Sequence, residues 1–253
     1  MQGGNHVSIT REVANAVLCA RPASVIEAIA LRASFPDEVN DVFVEDVGDH
    51  IVGKALCSVT HFFDGKRGYS WHLDGSVPHI DLPNRDVSCI ASKWTFLSFD
   101  DRLDHPLLKV HGAADEIVYP SAYDMALWLG RCVNKRSYAA LGSALHFVQD
   151  AREYHHRHCW MLRGHAQTEA DLNDRWFSPS FRVYREKMVK GAAKMKRKYR
   201  PEEAVLAAVK LCEGPRANAL DAVLMDTVRL TASVLRWWKD VIVAHPDAEG
   251  VTE

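Results

Sequence analysis

Residues 141–158 have the sequence LGSALHFVQDAREYHHRH, and this stretch decides both the fold class and the candidate chemistry. It belongs to a helix predicted over residues 137–153. His146 and Asp150 lie four residues apart in it, so both side chains share one helix face and can reach one metal ion. His156 follows six residues after Asp150, beyond the predicted helix end at Tyr154.

A second pair of the same kind follows, because His165 and Glu169 are again four residues apart. Neutral imidazoles and carboxylates are zinc ligands at about 2.0–2.2 Å. One such pair alone is often only a helix-stabilising ion pair. Two pairs with a histidine between them, in a chain with 13 histidines, indicate a metal site. His155 and His158 stay open as alternatives to His156.

Outward from this stretch, the apolar spacing predicts an all-α fold with long loops. We expect one domain over residues 1–253. A loop is predicted at 34–48, and 62–119 is predicted to be irregular, with short strands such as VSCIA. The predicted helices cover residues 8–20, 22–30, 49–60, 120–134, 137–153, 179–198, 201–212 and 218–243.

The composition and charge do not indicate a nucleic-acid-binding, membrane-spanning or signal-bearing protein. The net charge of −2 does not indicate binding to nucleic acid or to an anionic membrane. The chain contains no run of about 18 apolar residues, so no membrane span is predicted. The first residues, MQGGNHVSIT, lack the pattern of a signal peptide. We therefore predict a cytoplasmic protein, or a secreted one if a signal was trimmed, and the oligomeric state stays open.

The ligand order HxxxDxxxxxH followed by HxxxE resembles that of the zinc-dependent phospholipase C and single-strand-specific nuclease superfamily. Four further segments resemble elements of this superfamily in the same order along the chain. They are NHVSIT (5–10), SFPDEVND (34–41), THFFD (60–64) and the closing segment MDTVRLTASVLRWWKD (225–240).

The resemblance implies a compact helical fold with three zinc ions in a cleft, or two if one position is lost. One zinc would take Asp37, His61, His146 and Asp150. A second would take His6 and the N-terminal residue Met1, with Asp150 as a bridge. The third would take His156, His165 and Glu169.

The activity implied by the resemblance is hydrolysis of phosphate esters, with Asp37 as ligand and candidate general base. We expect a phosphorylated small molecule or a nucleotide as substrate. Nucleic acid is a further candidate, although the net charge does not indicate it. Two alternatives stay open: a helical iron or di-iron oxygenase, and a non-catalytic metal-binding protein of the same fold.

Overall fold

The described part of the chain is an all-α fold, as predicted. The computed structural model describes residues 3–37, 70–72, 118–120, 122–134, 138–157 and 164–244. Two 3-10 turns, Tyr154–Arg157 and Pro179–Phe181, are also present. The main elements are α1 (Gly3–Val17), α2 (Ala23–Leu31), β1 (Ser70–His72), β2 (Val118–Pro120), α3 (Ala122–Asn134), α4 (Tyr138–Asp150), α5 (His165–Phe177), α6 (Arg182–Ala193), α7 (Pro201–Leu211) and α8 (Leu220–Ala244).

Helix α4 is the central element of the described structure. Every residue from Ala140 to Asp150 is buried, and the helix packs against α1, α2, α3, α7 and α8. A helix covered on all sides is normally apolar all round. Helix α4 departs from this rule at its C-terminal end, where His146, Gln149 and Asp150 are buried. Buried polar groups need partners, and this end of α4 is where the candidate site is built.

Helices α2 and α4 approach each other closely at Gly142. A Cβ atom at this position would lie 2.3 Å from the Ile29 carbonyl oxygen and 2.7 Å from the Arg32 Cβ. Only glycine therefore allows this spacing. The approach brings the chain that follows α2, with Ala33 and Asp37, against the polar end of α4.

Helices α1 and α8 cover the other sides of α4. The buried face of α1 includes His6, Ile9, Thr10 and Val13, at the i, i+3, i+4, i+7 spacing of one helix face. Helix α8 packs an apolar stripe against α1, α4, α5, α6 and α7. Its Asp226 also accepts a hydrogen bond of 3.0 Å from Arg152, which fixes the turn after α4.

Several predicted helix boundaries were wrong. Helix α1 begins at Gly3 rather than at residue 8, because buried Asn5 and His6 fall outside an apolar pattern. The helix predicted over 179–198 is instead a 3-10 turn followed by α6, which ends at Ala193. Arg200 is extended, with ψ 157°, because the residue before Pro201 is kept out of the α region. Helix α5 was not predicted as a helix.

Residues 70–72 and 118–120 pair as antiparallel strands, with Ser70 opposite Pro120. Both strands lie in or next to the stretch predicted to be irregular. The predicted helix 49–60 and the VSCIA strand fall outside the described residues. Within the described ranges, none of the helices has the length and apolar character that crossing a membrane requires.

Candidate metal centre

The carboxylate of Asp150, at the C-terminal end of α4, lies at the centre of the site. Its Oδ1 atom is 3.1 Å from His6 Nε2, and its Oδ2 atom is 3.1 Å from His146 Nε2. The same Oδ2 atom is 3.7 Å from His156 Nε2. All four side chains are buried. One carboxylate thus faces three imidazoles that come from α1, from α4 and from the 3-10 turn.

The orientation of the His6 ring is set by Gln149. The Gln149 amide donates from Nε2 to the hydroxyl oxygens of Thr10, at 2.9 Å, and of Thr231, at 3.2 Å. Its Oε1 atom is therefore turned to accept from His6 Nδ1, at 2.7 Å. Because the His6 proton is on Nδ1, the lone pair of Nε2 faces Asp150. This arrangement is typical of a metal-binding histidine, whose second nitrogen donates to an oxygen.

The His146 ring is oriented in the same way by the backbone. Its Nδ1 donates to the Ala33 carbonyl at 2.8 Å, so Nε2 faces Asp150 and also Asp37 Oδ1, at 3.4 Å. The His6 and His146 rings are stacked at a tilt, with centroids 4.1 Å apart. The first group consists of Asp37, His6, His146 and Asp150.

The electrostatics of the first group favour a cation. Burial lowers the pKa of His146, but the negative charges of Asp37 and Asp150 outweigh it and raise the pKa to about 9. Burial and the positive charge of His146 lower the pKa of His6. Burial would raise the pKa of Asp150, yet the surrounding positive charge, including His156, His146 and His6, holds it well below its usual range. The carboxylate is therefore ionised.

A second group lies beside the first and consists of His156, His165 and Glu169. The two histidine Nε2 atoms are 3.1 Å apart, with the rings perpendicular. Glu169 Oε1 lies 3.1 Å from His165 Nε2 and 3.9 Å from His156 Nε2. His165 and Glu169 share one face at the start of α5, as their spacing predicts.

Side chains of both groups belong to clusters that could hold a metal ion. Two ligands at ~2.05 Å on a tetrahedral zinc lie ~3.3 Å from each other. The spacings of 3.1–3.4 Å between the Nε2 atoms and their nearest neighbours in each group match this value. Imidazole nitrogens and carboxylate oxygens this close together are donor types that bind divalent metal ions.

The chain was compared with protein-family models, with curated proteins and with solved structures. None of the three comparisons gave a match. The resemblance to the phospholipase C and nuclease superfamily therefore stays a prediction, as does the specific fold that it implies.

Most of the residues predicted from the sequence lie together in the structure. Of the zinc site predicted from Asp37, His61, His146 and Asp150, three residues meet, and His61 lies outside the described residues. Met1 also lies outside them, so His6 and Asp150 are the described part of the second predicted site. The residues predicted for the third site, His156, His165 and Glu169, also lie together, at pairwise distances of 3.1 to 3.9 Å.

The structure also favours His156 over His155 as the ligand. His155 Nδ1 donates to Glu153 Oε1 at 2.7 Å, and the His155 ring centroid is 6.2 Å from that of His165. His156 instead directs its Nε2 atom at His165 and Glu169, the other two residues of the second group. The third alternative, His158, falls in a stretch that the structure does not describe.

Two residues at the site were not predicted from the sequence. Gln149 holds His6, and the buried carboxylate of Glu153 lies 3.2 Å from His156 Nδ1 through its Oε2 atom. Burial would raise the pKa of Glu153, but His156 and His155 lower it to about 2. The signal available in the sequence was positional: Gln149 and Glu153 flank Asp150 inside the ligand motif.

Proposed function

We propose that this protein is a zinc-dependent hydrolase of phosphate esters. The observation that carries the proposal is the position of Asp150, whose buried carboxylate contacts imidazoles of both groups. Phosphoesterases with two metal ions hold them about 3.5–4 Å apart. A carboxylate with one oxygen on His6 and the other towards His146 and His156 suits such a spacing.

In this proposal, the first group would hold one part of the zinc cluster and the second group the other. When bound, zinc lowers the pKa of water towards ~7 and neutralises negative charge on a phosphate. Gln149 and the Ala33 carbonyl orient His6 and His146 in advance, so the two rings need no reorganisation to present their Nε2 atoms. The proposed cluster contains two or three zinc ions per chain.

Asp37 is the candidate general base. Its side chain is 38% exposed, whereas His146 and Asp150 beside it are 0% and 3% exposed. Asp37 therefore lies where the first group meets solvent, and its carboxylate can orient a water molecule or accept its proton. His165 and Glu169 are also partly exposed, so each group has at least one side chain that a substrate could reach.

A phosphorylated small molecule or a nucleotide is the proposed substrate class. The net charge of −2 gives no overall attraction for a long polyanion. The segment 185–200, REKMVKGAAKMKRKYR, is rich in Lys and Arg and could meet phosphates. Part of its charge is neutralised locally, since Arg185 pairs with Glu12 at 3.3 Å and Lys198 pairs with Asp240. A cytoplasmic location stays a prediction.

The first test is elemental analysis of tag-free protein, combined with assays on phosphate monoesters, diesters and nucleotides. We expect two or three zinc ions per chain and hydrolysis that a chelator removes. Iron in place of zinc would support the oxygenase alternative. Zinc without hydrolysis of any member of the panel would support the non-catalytic alternative, and absence of metal would overturn both groups as metal sites.

The second test is Asp37→Asn. This variant keeps the size of the side chain but removes the basic carboxylate, so we expect a folded protein with turnover reduced by at least 100-fold, the range for loss of a general base. Exposed Asp174→Asn on α5 is the matched control. Undiminished turnover by Asp37→Asn, measured at zinc saturation, would remove Asp37 from the mechanism.

A further inference from the structure

Glu153 is a buried carboxylate next to the second group that none of the predicted zinc sites uses. Its side chain is 1% exposed. The His155 backbone N–H donates to Oε2 at 2.9 Å, and the His155 ring Nδ1 donates to Oε1 at 2.7 Å. Both carboxylate oxygens are thereby held in place by His155, the residue that directly precedes the ligand candidate His156.

The turn that follows α4 places Asp150, Glu153 and His156 on one side of the backbone. The Glu153 N–H donates to the Asp150 carbonyl at 2.8 Å, and the His156 N–H donates to the Glu153 carbonyl at 3.1 Å. Such i to i+3 bonds make three residues per turn, so side chains three apart lie above one another. Asp150, Glu153 and His156 follow each other at this spacing, which places Glu153 beside the Nδ1 atom of His156.

The two nitrogens of His156 therefore face different partners. Nδ1 lies 3.2 Å from Glu153 Oε2, while Nε2 lies 3.1 Å from His165 Nε2 and 3.7 Å from Asp150 Oδ2. A carboxylate beside Nδ1 keeps the ring proton there and leaves the lone pair on Nε2. A carboxylate on the outer nitrogen also makes the histidine a stronger metal donor.

We propose that Glu153 is a positioning residue, which orients His156 and strengthens its bond to a zinc ion in the second group. This inference rests on the proposed function, because it requires that the second group binds zinc. Glu153 also has a carboxylate oxygen within 4.8 Å of donor atoms of His156 and His165. Because His155 already donates to both of its oxygens, we assign it a role that acts through His156 rather than on the zinc itself. It also accounts for the pairing of two adjacent histidines, since His155 holds the carboxylate and His156 binds the metal.

The test is Glu153→Gln, which keeps the shape of the side chain. It removes the negative charge beside His156 Nδ1, and its single amide oxygen can accept at the Oε1 or the Oε2 position but not at both. We expect zinc at one position to bind 10- to 100-fold more weakly in chelator competition, the range for such outer partners, while the remaining zinc binds as in wild type. The visible spectrum of the cobalt-loaded protein should also change.

Glu202→Gln is the matched control, because Glu202 is a buried carboxylate in α7 that pairs with Arg200 at 3.0 Å. We expect it to leave every zinc affinity unchanged. His155→Ala provides a second variant if Glu153→Gln does not fold. It removes one of the groups that hold Glu153, so we expect a weakening at the same zinc position, by less than Glu153→Gln.

If Glu153→Gln binds zinc with wild-type affinity at every position, the role of Glu153 is overturned but the proposed function is not. The same holds for His155→Ala if only that variant folds. Equal weakening of all zinc positions would also overturn the inference, since that indicates a general structural role. A wild-type protein that binds no zinc would instead overturn the proposed function, and the inference with it. The wild-type zinc content therefore separates the two failures.

Discussion

At the scale of single residues, the site depends on which atom of each side chain faces the metal position. His6, His146 and His156 all have one ring nitrogen beside an oxygen acceptor, on Gln149, Ala33 and Glu153 respectively. In each case the other nitrogen faces Asp150. The orientation of three rings is thus decided by residues that are not themselves predicted ligands.

Asp150→Asn tests whether this carboxylate serves both groups. The amide keeps the size of the side chain but loses the charge and one acceptor oxygen. We expect the zinc content to fall by more than one ion per chain, measured by elemental analysis after gel filtration. Asp174→Asn should retain the wild-type content. Loss of a single ion in Asp150→Asn would show that Asp150 belongs to one position only.

Zinc binding should release protons. Because the pKa of His146 is raised to about 9 in the metal-free protein, its ring is mostly protonated at pH 7.5. Zinc requires the neutral ring, so at least about one proton must leave on binding. Calorimetry in buffers with different ionisation enthalpies measures this number. Identical heats in all buffers would contradict the raised pKa of His146.

At the scale of elements, the close packing of α2 on α4 brings the Ala33 carbonyl and Asp37 to His146. This spacing depends on Gly142, where any side chain would collide with the backbone of Ile29. Gly142 therefore has a steric role in this chain. It sets the separation of two helices that hold parts of the first group.

Gly142→Ala should destabilise the protein by about 1–3 kcal/mol, the usual cost of overpacking, and should weaken zinc binding by displacing α2. Gly191→Ala in α6 is the matched control, because a Cβ atom there meets nothing within 4 Å. We expect that control to gain about 0.5–1 kcal/mol from helix propensity. Chemical denaturation measures both. Equal stability of the two variants would contradict the close approach.

At the scale of the whole molecule, the site joins distant parts of the chain. The hydrogen bond between His6 and Gln149 spans 143 positions, and that between Gln149 and Thr231 spans 82. Helices α1, α4, α5 and α8 thus meet around the two groups. Bound metal would stabilise the folded state as a whole, since the unfolded chain cannot assemble these ligands.

Removal of zinc should therefore lower the melting temperature in one cooperative transition. Each site with zinc at 100 times its dissociation constant contributes about 2.7 kcal/mol. For a domain of this size that corresponds to about 5–10 °C per site. Scanning calorimetry with zinc and with a chelator measures the difference. Identical melting curves in both conditions would contradict metal binding across these helices.

The sequence by itself determined the helical class, the two His–carboxylate pairs and the order of the candidate ligands. It could do so because helical periodicity and i to i+4 spacing are local properties. The stretch 62–119, which the sequence predicts to be irregular, carries no such periodicity. The predicted helix boundaries failed where buried polar residues or a following proline overrode the apolar pattern, as at His6 and Arg200.

Only the tertiary structure decided that Asp150 faces both groups, that His156 rather than His155 points into the second group, and that Gln149 and Glu153 orient the rings. The contacts of Glu153 with His155 and His156 are local, within the turn that follows α4. The other features depend on which helices pack together and on hydrogen bonds between residues far apart in the chain. Such contacts follow from the three-dimensional packing around α4, and no local spacing specifies them.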